Sequence, residues 1–116
     1  MLPKLNRLSK KNDIKKVFKK GQTFKENFLI LRLRENNLKE SRFGFMVSQR
    51  VSKRATLRNK IKRRLNEAVK MKIKKIKKRV DGLFIARPGL EAKDFREIDE
   101  AVEKLFKKYA ISRRSF

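Results

Sequence analysis

The segment from Lys53 to Arg79 constrains this chain most strongly, because it carries 14 basic residues and a single acidic one, Glu67. In its first part, four apolar residues fall within an arc of about 80° on a helical wheel, which predicts an amphipathic helix packed on a sheet. These residues are Leu57, Ile61, Leu65 and Ala68. A solvated helix normally mixes charges of both signs and gains i, i+4 pairs. This helix has too few acidic residues to form such pairs. An external anion is therefore the simplest explanation for its basic outer face.

The whole chain shows the same imbalance. Its 116 residues include 36 Lys and Arg against 12 Asp and Glu, a formal net charge of +24. So much positive charge repels itself in a compact fold unless a polyanion neutralises it. A hydrophobic fraction of 39% with nine Phe is too high for a disordered basic tail and predicts a folded core. The length predicts a single domain over residues 1–116, with residues 1–9 as a flexible basic arm.

Several kinds of chemistry are excluded by composition. The chain contains no Cys and no His, so it has no disulfide, no thiolate and no imidazole base, and none of the usual zinc ligands apart from carboxylates. Acidic pairs occur only between Glu91 and Glu103, where helix-end electrostatics explain them, so no catalytic residue and no side-chain metal cluster is predicted. No apolar run approaches the length of a membrane span. We therefore expect a cytoplasmic protein that binds nucleic acid. It should have no membrane partner, no small-molecule substrate and no cofactor of its own.

Periodicity predicts the element order α-β-β-(β)-α-β-α. The first helix is expected from about Lys10 to Lys19, with Ser9 as N-cap and Gly21 as its stop. Two strands, Phe28–Arg34 and Arg42–Val47, are expected to pair as an antiparallel hairpin. Residues 49–53 could add a short strand before the basic helix.

The rest of the chain completes a sandwich. The basic helix is expected to end by about Lys78, since Lys72 falls inside its apolar stripe. A buried strand at Leu83–Ala86 and a last helix over about Asp94–Tyr109 follow. These elements predict an α+β fold, a two-layer sandwich in which helices pack on a small mixed sheet.

The start of the basic helix is the candidate RNA-binding site. Free backbone N–H groups and the helix dipole add there to the side-chain charge, so phosphate or a phosphate-bound hydrated magnesium ion could be held near Asn59. Asn59, Lys60 and Arg63 point away from the apolar stripe on the wheel. The full set of candidates is Lys53, Arg54, Arg58, Asn59, Lys60, Lys62, Arg63 and Arg64. On composition alone, a solvated and non-specific basic face is an equally good interpretation.

Phe18 is a candidate for contact with unpaired bases. Most aromatic residues at such positions belong to a core, but Phe18 lies among four lysines: Lys15, Lys16, Lys19 and Lys20. Basic and aromatic side chains together favour single-stranded RNA.

Three ordered blocks resemble the protein subunit of bacterial ribonuclease P. They are RLSKKNDIKKVFKKG at Arg7–Gly21, RFGFMVSQRVSKRATLRNKIKRRLNEA at Arg42–Ala68 and DGLFIARPG at Asp81–Gly89. The middle block is the most specific, because the family carries a signature that opens Arg-Asn-Arg. Here it reads Arg58-Asn59-Lys60. Lys60 keeps the positive charge of arginine but lacks the planar guanidinium group that can make two parallel hydrogen bonds to a phosphate.

The resemblance implies a protein that binds a catalytic RNA and helps it cleave the 5′ leader from precursor tRNA. The catalytic groups, and the requirement for Mg²⁺, would then belong to the RNA. It also implies a left-handed crossover, as in ribosomal S5 domain 2-like folds, whereas connections between parallel strands are usually right-handed. The signature residues would contact the RNA subunit. The leader would lie against Arg7, Lys10, Lys11, Ile14 and Phe18, with Ile14 standing where an aromatic residue is common.

Two alternatives belong to other functional classes. A ribosomal or other structural RNA-binding protein could have the same charge and fold, but it would need no cleft for a single strand. A nucleoid-type DNA binder is weaker, because no recognition helix, dimer seam or minor-groove arm is indicated.

Overall fold

The centre of the molecule is a mixed sheet of four strands. The computed structural model describes residues 1–76 and 78–114, the side chains of 113 and 114 excepted. Strands β1 and β2 form an antiparallel hairpin, β2 pairs antiparallel with β4, and β3 pairs parallel with β4, in the spatial order β1-β2-β4-β3. The strands are β1 Gln22–Glu26, β2 Leu29–Glu35, β3 Arg42–Met46 and β4 Val80–Ala86.

Three helices pack on this sheet: α1 Lys11–Lys20, α2 Ala55–Lys72 and α3 Phe95–Arg114. The α+β fold with a small mixed sheet is confirmed. Short 3₁₀ turns lie at Lys4–Asn6, Ile73–Lys75 and Leu90–Ala92. No helix in the described parts of the chain is long and apolar enough to cross a membrane.

The predicted antiparallel hairpin between strands at 28–34 and 42–47 is wrong, because β4 lies between β2 and β3. β4 is buried on both faces, as Leu83 and Phe84 show, and a strand of this kind belongs in the middle of a sheet. The hairpin partner of β2 is β1, which was not predicted, since Phe24 is its only apolar residue. Residues 49–53 form a turn and loop rather than the short strand considered for them.

The two faces of the sheet carry different helices. One face, which includes Leu31, Phe43 and Phe84, forms the main core with α2 and α3. The opposite face carries α1, whose Val17 packs with Leu8 and Leu83 in a smaller cluster. The parallel pair β3 and β4 is joined through α2, so α2 begins at the carboxyl ends of these strands and ends near the start of β4.

A partly buried ion-pair network fixes α1 to the sheet. Arg42 on β3 binds both carboxylate oxygens of Asp81 on β4, at 2.8 and 2.6 Å, and a carboxylate oxygen of Asp13 on α1 at 3.2 Å. The hydrogen bond to Asp81 is the main cause that raises the pKa of Arg42 above its ordinary value. Asn36 donates a further hydrogen bond of 2.8 Å to Asp81.

The ends of α1 differ from the prediction in one respect. Lys10, not Ser9, occupies the N-cap position, and no side chain caps the helix there. Gly21 ends the helix as predicted, and its N–H donates to the carbonyl of Val17 at 2.9 Å. Arg32 on β2 donates to the last carbonyls of α1, including that of Val17 at 3.1 Å, where a cation complements the helix dipole.

Ion pairs also hold α3 in place. Lys72, in the last turn of α2, is buried and pairs with Asp99 of α3, which accounts for a lysine inside the apolar stripe. Glu26 of β1 lies 2.8 Å from the ammonium group of Lys108, and this hydrogen bond lowers the pKa of Glu26 below its ordinary value. α3 begins at Phe95, one residue after the predicted Asp94, whose carboxylate accepts the N–H of Glu97 at 2.9 Å.

Residues 1–9, predicted as a flexible basic arm, pack on the domain. Leu2 is fully buried in the main core, and Leu8 is buried under α1. The N–H of Leu8 donates to the carbonyl of Phe43 at 3.0 Å, which extends the edge of the sheet.

We expect Asp81→Asn to lower the free energy of unfolding by about 3 kcal/mol, because it leaves the largely buried Arg42 without its main counter-charge. Asp13→Asn is the matched control, since it removes the same charge but a single, longer contact, and it should cost about 1 kcal/mol or less. Urea denaturation measures both values. Equal losses would contradict the view that the Asp81 pair dominates the network.

Candidate RNA interface

The loop before α2 holds the start of that helix in a defined position. Val51 is buried, and its N–H donates to the carbonyl of Ser48 at 3.1 Å. The hydroxyl of Ser52 accepts the N–H of Arg54 at 3.1 Å, and Arg58 donates to the carbonyl of Ser52 at 2.9 Å. Arg58 therefore also shapes the loop through which the chain enters the helix.

The outer face of α2 is basic and solvent-exposed at its start. Asn59, Lys60 and Arg63 are exposed, as the helical wheel predicts, and so are Lys53 and Arg54 ahead of them. Lys62 is half-buried at the edge of this face. Within residues 1–76 and 78–114, none of these basic side chains forms an ion pair with a carboxylate. The first turn contains no acidic residue either, so the positive end of the helix dipole is not offset there.

Arg64, like Arg58, has a structural contact within the chain. It donates a hydrogen bond of 3.1 Å to the carbonyl of Lys93, just before α3, and its side chain is half-buried. The ammonium group of Lys93 lies 4.9 Å from the centre of the Phe28 ring, in the turn between β1 and β2. These contacts link α2 to the turn between β1 and β2. Arg64 therefore lies against the segment before α3, whereas Arg63 is exposed to solvent.

The middle of the outer face of α2 is covered by the N-terminal segment, which no sequence pattern predicted. Asn66 is buried, donates to the carbonyl of Lys62 at 3.0 Å and accepts the N–H of Leu2 at 3.4 Å. Glu67 lies 3.6 Å from the amino group of Met1. The exposed basic surface of α2 is thereby divided into a part before Asn66 and a part after Glu67.

A second surface lies on the face of the sheet that carries α1. Lys11, Ile14 and Phe18 follow the i, i+3, i+7 spacing of one edge of α1. Ile14 is half-buried against the small cluster below α1, whereas Phe18 is 42% exposed, so Phe18 is not a core residue. Lys10 and Lys11 are exposed, and Arg7 turns to donate to the carbonyl of Leu2 at 2.8 Å. Of the predicted leader residues, Arg7 is thus partly engaged within its own chain.

The sheet adds apolar residues to this second surface. Met46 is paired in register with Ile85, and Ile85 with Ile30 on the next strand, so all three point to the side of the sheet that carries α1. Met46 is 43% exposed and the two isoleucines are half-buried, so α1 leaves this end uncovered. The same end of the sheet is where α2 begins. Sequence patterns do not reveal these residues, because their orientation depends on the strand order.

The structure describes no group of three or more acidic side chains that could hold a metal ion in residues 1–76 and 78–114. Asn59 is exposed and belongs to no acidic cluster of the described residues, so it suits contact with a water ligand better than direct coordination. A hydrated magnesium ion near Asn59 stays a prediction.

Together, the fold and this surface define a class: small, strongly basic α+β proteins in which one helix presents an unpaired basic face suited to a polyanion. The family model for ribonuclease P matches residues 2–110, which is nearly the whole chain. The chain belongs to the ribonuclease P protein family.

Relatives and solved structures agree with this assignment. The chain is 37% identical over 106 residues to the ribonuclease P protein component of Clostridioides difficile, covering 90% of this chain and 92% of that protein. It is 36% identical over 104 residues to that of Alkaliphilus oremlandii, covering 90% of each. The structure of the Staphylococcus aureus RNase P protein matches with a TM-score of 0.81 at 28% identity, over 90% of this chain and 94% of that one. The Thermotoga maritima RNase P protein matches with a TM-score of 0.79 at 29% identity, over 88% and 96%.

Neighbouring arginines on α2 should behave differently in a stability measurement. Arg63→Ala should change the free energy of unfolding by less than about 0.5 kcal/mol, because Arg63 is exposed and contacts no carboxylate among the described residues. Arg64→Ala should cost about 1 kcal/mol, because it removes the hydrogen bond to Lys93. Urea denaturation compares the two, and an equal cost would contradict a separate structural role for Arg64.

Proposed function

We propose that this chain is the RNA-binding protein component of ribonuclease P, which helps a catalytic RNA to remove the 5′ leader from precursor tRNA in the cytoplasm. The observation that carries the proposal is the family match over residues 2–110. The unpaired basic face at the start of α2 gives it a physical basis. No comparison favours a ribosomal or other structural RNA-binding protein.

The start of α2 is the proposed contact with the catalytic RNA. Arg58, Asn59, Lys60, Lys62 and Arg63 lie in its first three turns, where backbone N–H groups, the helix dipole and side-chain charge all attract phosphate. Arg64 would support the same surface through its contact with Lys93. Mg²⁺ would be held by the phosphates of the RNA and would supply the charge stabilisation that cleavage requires, while Asn59 could contact its water ligands.

The surface beside α1 is the proposed contact with the single-stranded leader. Phe18 offers an exposed ring on which a base can stack, and Met46 and Ile85 extend the apolar surface. Lys10 and Lys11, with the exposed lysines that flank Phe18, would neutralise the phosphates of the leader. The leader would then leave this surface at the end of the sheet where α2 begins, close to the catalytic RNA.

This division of roles assigns no reactive group to the protein. No His or Cys is present in the chain. The buried carboxylate Asp81 is committed to Arg42, and Asp99 to Lys72. We therefore assign the chemistry of cleavage to the RNA, and to the protein the affinity for substrate and the efficient use of metal.

Cleavage of precursor tRNA by a bacterial ribonuclease P RNA at low magnesium concentration tests the proposal directly. The protein should restore correct 5′ processing under conditions in which the RNA alone is inactive. It should cleave nothing by itself. Tight RNA binding without restored processing would favour a structural RNA-binding protein instead.

Phe18→Ala should weaken binding of precursor tRNA to the reconstituted enzyme by about 5- to 30-fold, because one stacked base contributes about 1–2 kcal/mol. Binding of mature tRNA, which has no leader, should be unchanged. Phe95→Ala is the matched control, since Phe95 is a similarly exposed phenylalanine at the start of α3. An equal loss for both tRNAs, or for both variants, would contradict a leader site at Phe18.

A further inference from the structure

A second basic surface lies at the other end of α2, and the proposed function makes no use of it. It combines the last turns of α2, the segment that leads to β4 and the loop between β2 and β3. We call it the lysine cluster and define it as Lys39, Lys70, Lys74, Lys75, Lys78 and Arg79. All six side chains are exposed.

The fold, and not only the sequence, brings this cluster together. Arg79 donates a hydrogen bond of 2.8 Å to the carbonyl of Lys39, and its own carbonyl accepts the N–H of Asn36 at 3.0 Å. The hydroxyl of Ser41 accepts the N–H of Val80 at 3.1 Å. These bonds join two segments that are about 40 residues apart in the chain, and they do so at the start of β4.

The cluster is well separated from the start of α2. A helix of 18 residues is about 27 Å long at 1.5 Å per residue. Because α2 crosses from the carboxyl end of β3 back to the beginning of β4, its two ends lie at opposite ends of the sheet. Between them, Asn66 and Glu67 are occupied by the N-terminal segment. A single phosphate cannot contact both basic surfaces.

Within the described residues, no direct ion pair neutralises the positive charge of the cluster. In the part of the chain that the structure describes, none of its six side chains forms an ion pair. Among the described residues between 70 and 79, Lys72 is the one that pairs with a carboxylate, and it is buried against Asp99 and does not belong to the cluster. Favourable interaction with the helix dipole is confined to the last turn, so it accounts for one or two of the cations and not for six.

The chemistry of the cluster favours phosphates over bases. The segment from Lys70 to Arg79 contains no aromatic residue, so it offers no ring on which an unpaired base could stack. Five of the six side chains are lysines, which act as flexible point charges. Such a surface fits the backbone of a double helix, where phosphates are dense and sequence is not read.

We propose that the lysine cluster binds the phosphate backbone of a second, double-helical segment of the RNA partner. α2 would then bridge two RNA segments about 25–30 Å apart, one at each end. The identity of the RNA as the catalytic subunit rests on the proposed function. The existence of a second phosphate contact rests on the cluster itself.

Neutralising part of the cluster tests this proposal. The variant Lys74→Gln, Lys75→Gln, Lys78→Gln is compared with the control Arg96→Gln, Lys104→Gln, Lys107→Gln, whose residues are exposed on α3 and have carboxylate partners. Both variants carry the same net charge. The measured quantity is the slope of log affinity for ribonuclease P RNA against log salt concentration.

The cluster variant should reduce the magnitude of this slope by about 2–3 units, since each phosphate that the protein no longer neutralises lowers it by about 0.9. The control variant should keep the wild-type slope. Equal slopes for the two variants would overturn the proposal, because general charge would then explain the binding. A wild-type protein that binds ribonuclease P RNA no better than an unrelated RNA of equal length would instead contradict the proposed function.

A second measurement locates the contact. The chain has no cysteine, so Lys75→Cys and Lys60→Cys each create a single attachment point for an iron chelate that cleaves nearby RNA. The chelate at position 75 should cut a double-stranded segment that the chelate at position 60 does not reach. Cleavage at the same sites from both positions, or no cleavage from position 75, would overturn the proposal.

Discussion

Uncompensated positive charge on the outer face of α2 is the constraint on which the rest of this structure depends. A helix that repels itself along one side is stable only if its other side is firmly held, and Ile61 and Leu65 are fully buried against the sheet and α3. The ion pair between Lys72 and Asp99 secures its last turn. Half of the acidic residues lie between Glu91 and Glu103, in and just before α3, which leaves the outer face of α2 free for a polyanion.

The central position of β4 relates the two candidate surfaces to each other. Because β3 and β4 are parallel neighbours, α2 starts at the same end of the sheet at which Met46 and Ile85 stay uncovered. The network of Arg42 with Asp13 and Asp81 places α1 over the other end of that face. On the proposed function, a single strand beside Phe18 would be directed toward the basic start of α2. Strand order, and not sequence proximity, relates the two surfaces.

Helix periodicity predicted α2 and α3 well, since each has an apolar stripe that the core buries almost completely. The sheet was harder to predict: Phe24 alone marks β1 as a strand, and nothing local shows that β4 separates β2 from β3. For the interface, the wheel correctly placed Asn59, Lys60 and Arg63 on the exposed side. It could not show the contact of Arg64 with Lys93, because that contact joins residues far apart in sequence.

The central claim is that RNA binds the outer face of α2 and leaves α3 exposed. Chemical acylation of lysines, read by mass spectrometry with and without ribonuclease P RNA, tests it most directly because the chain has lysines on both helices. Lys60 and Lys62 should become protected in the complex, while Lys104 and Lys107 on α3 should react as in the free protein. Protection of Lys104 and Lys107 equal to that of Lys60 and Lys62 would contradict the claim.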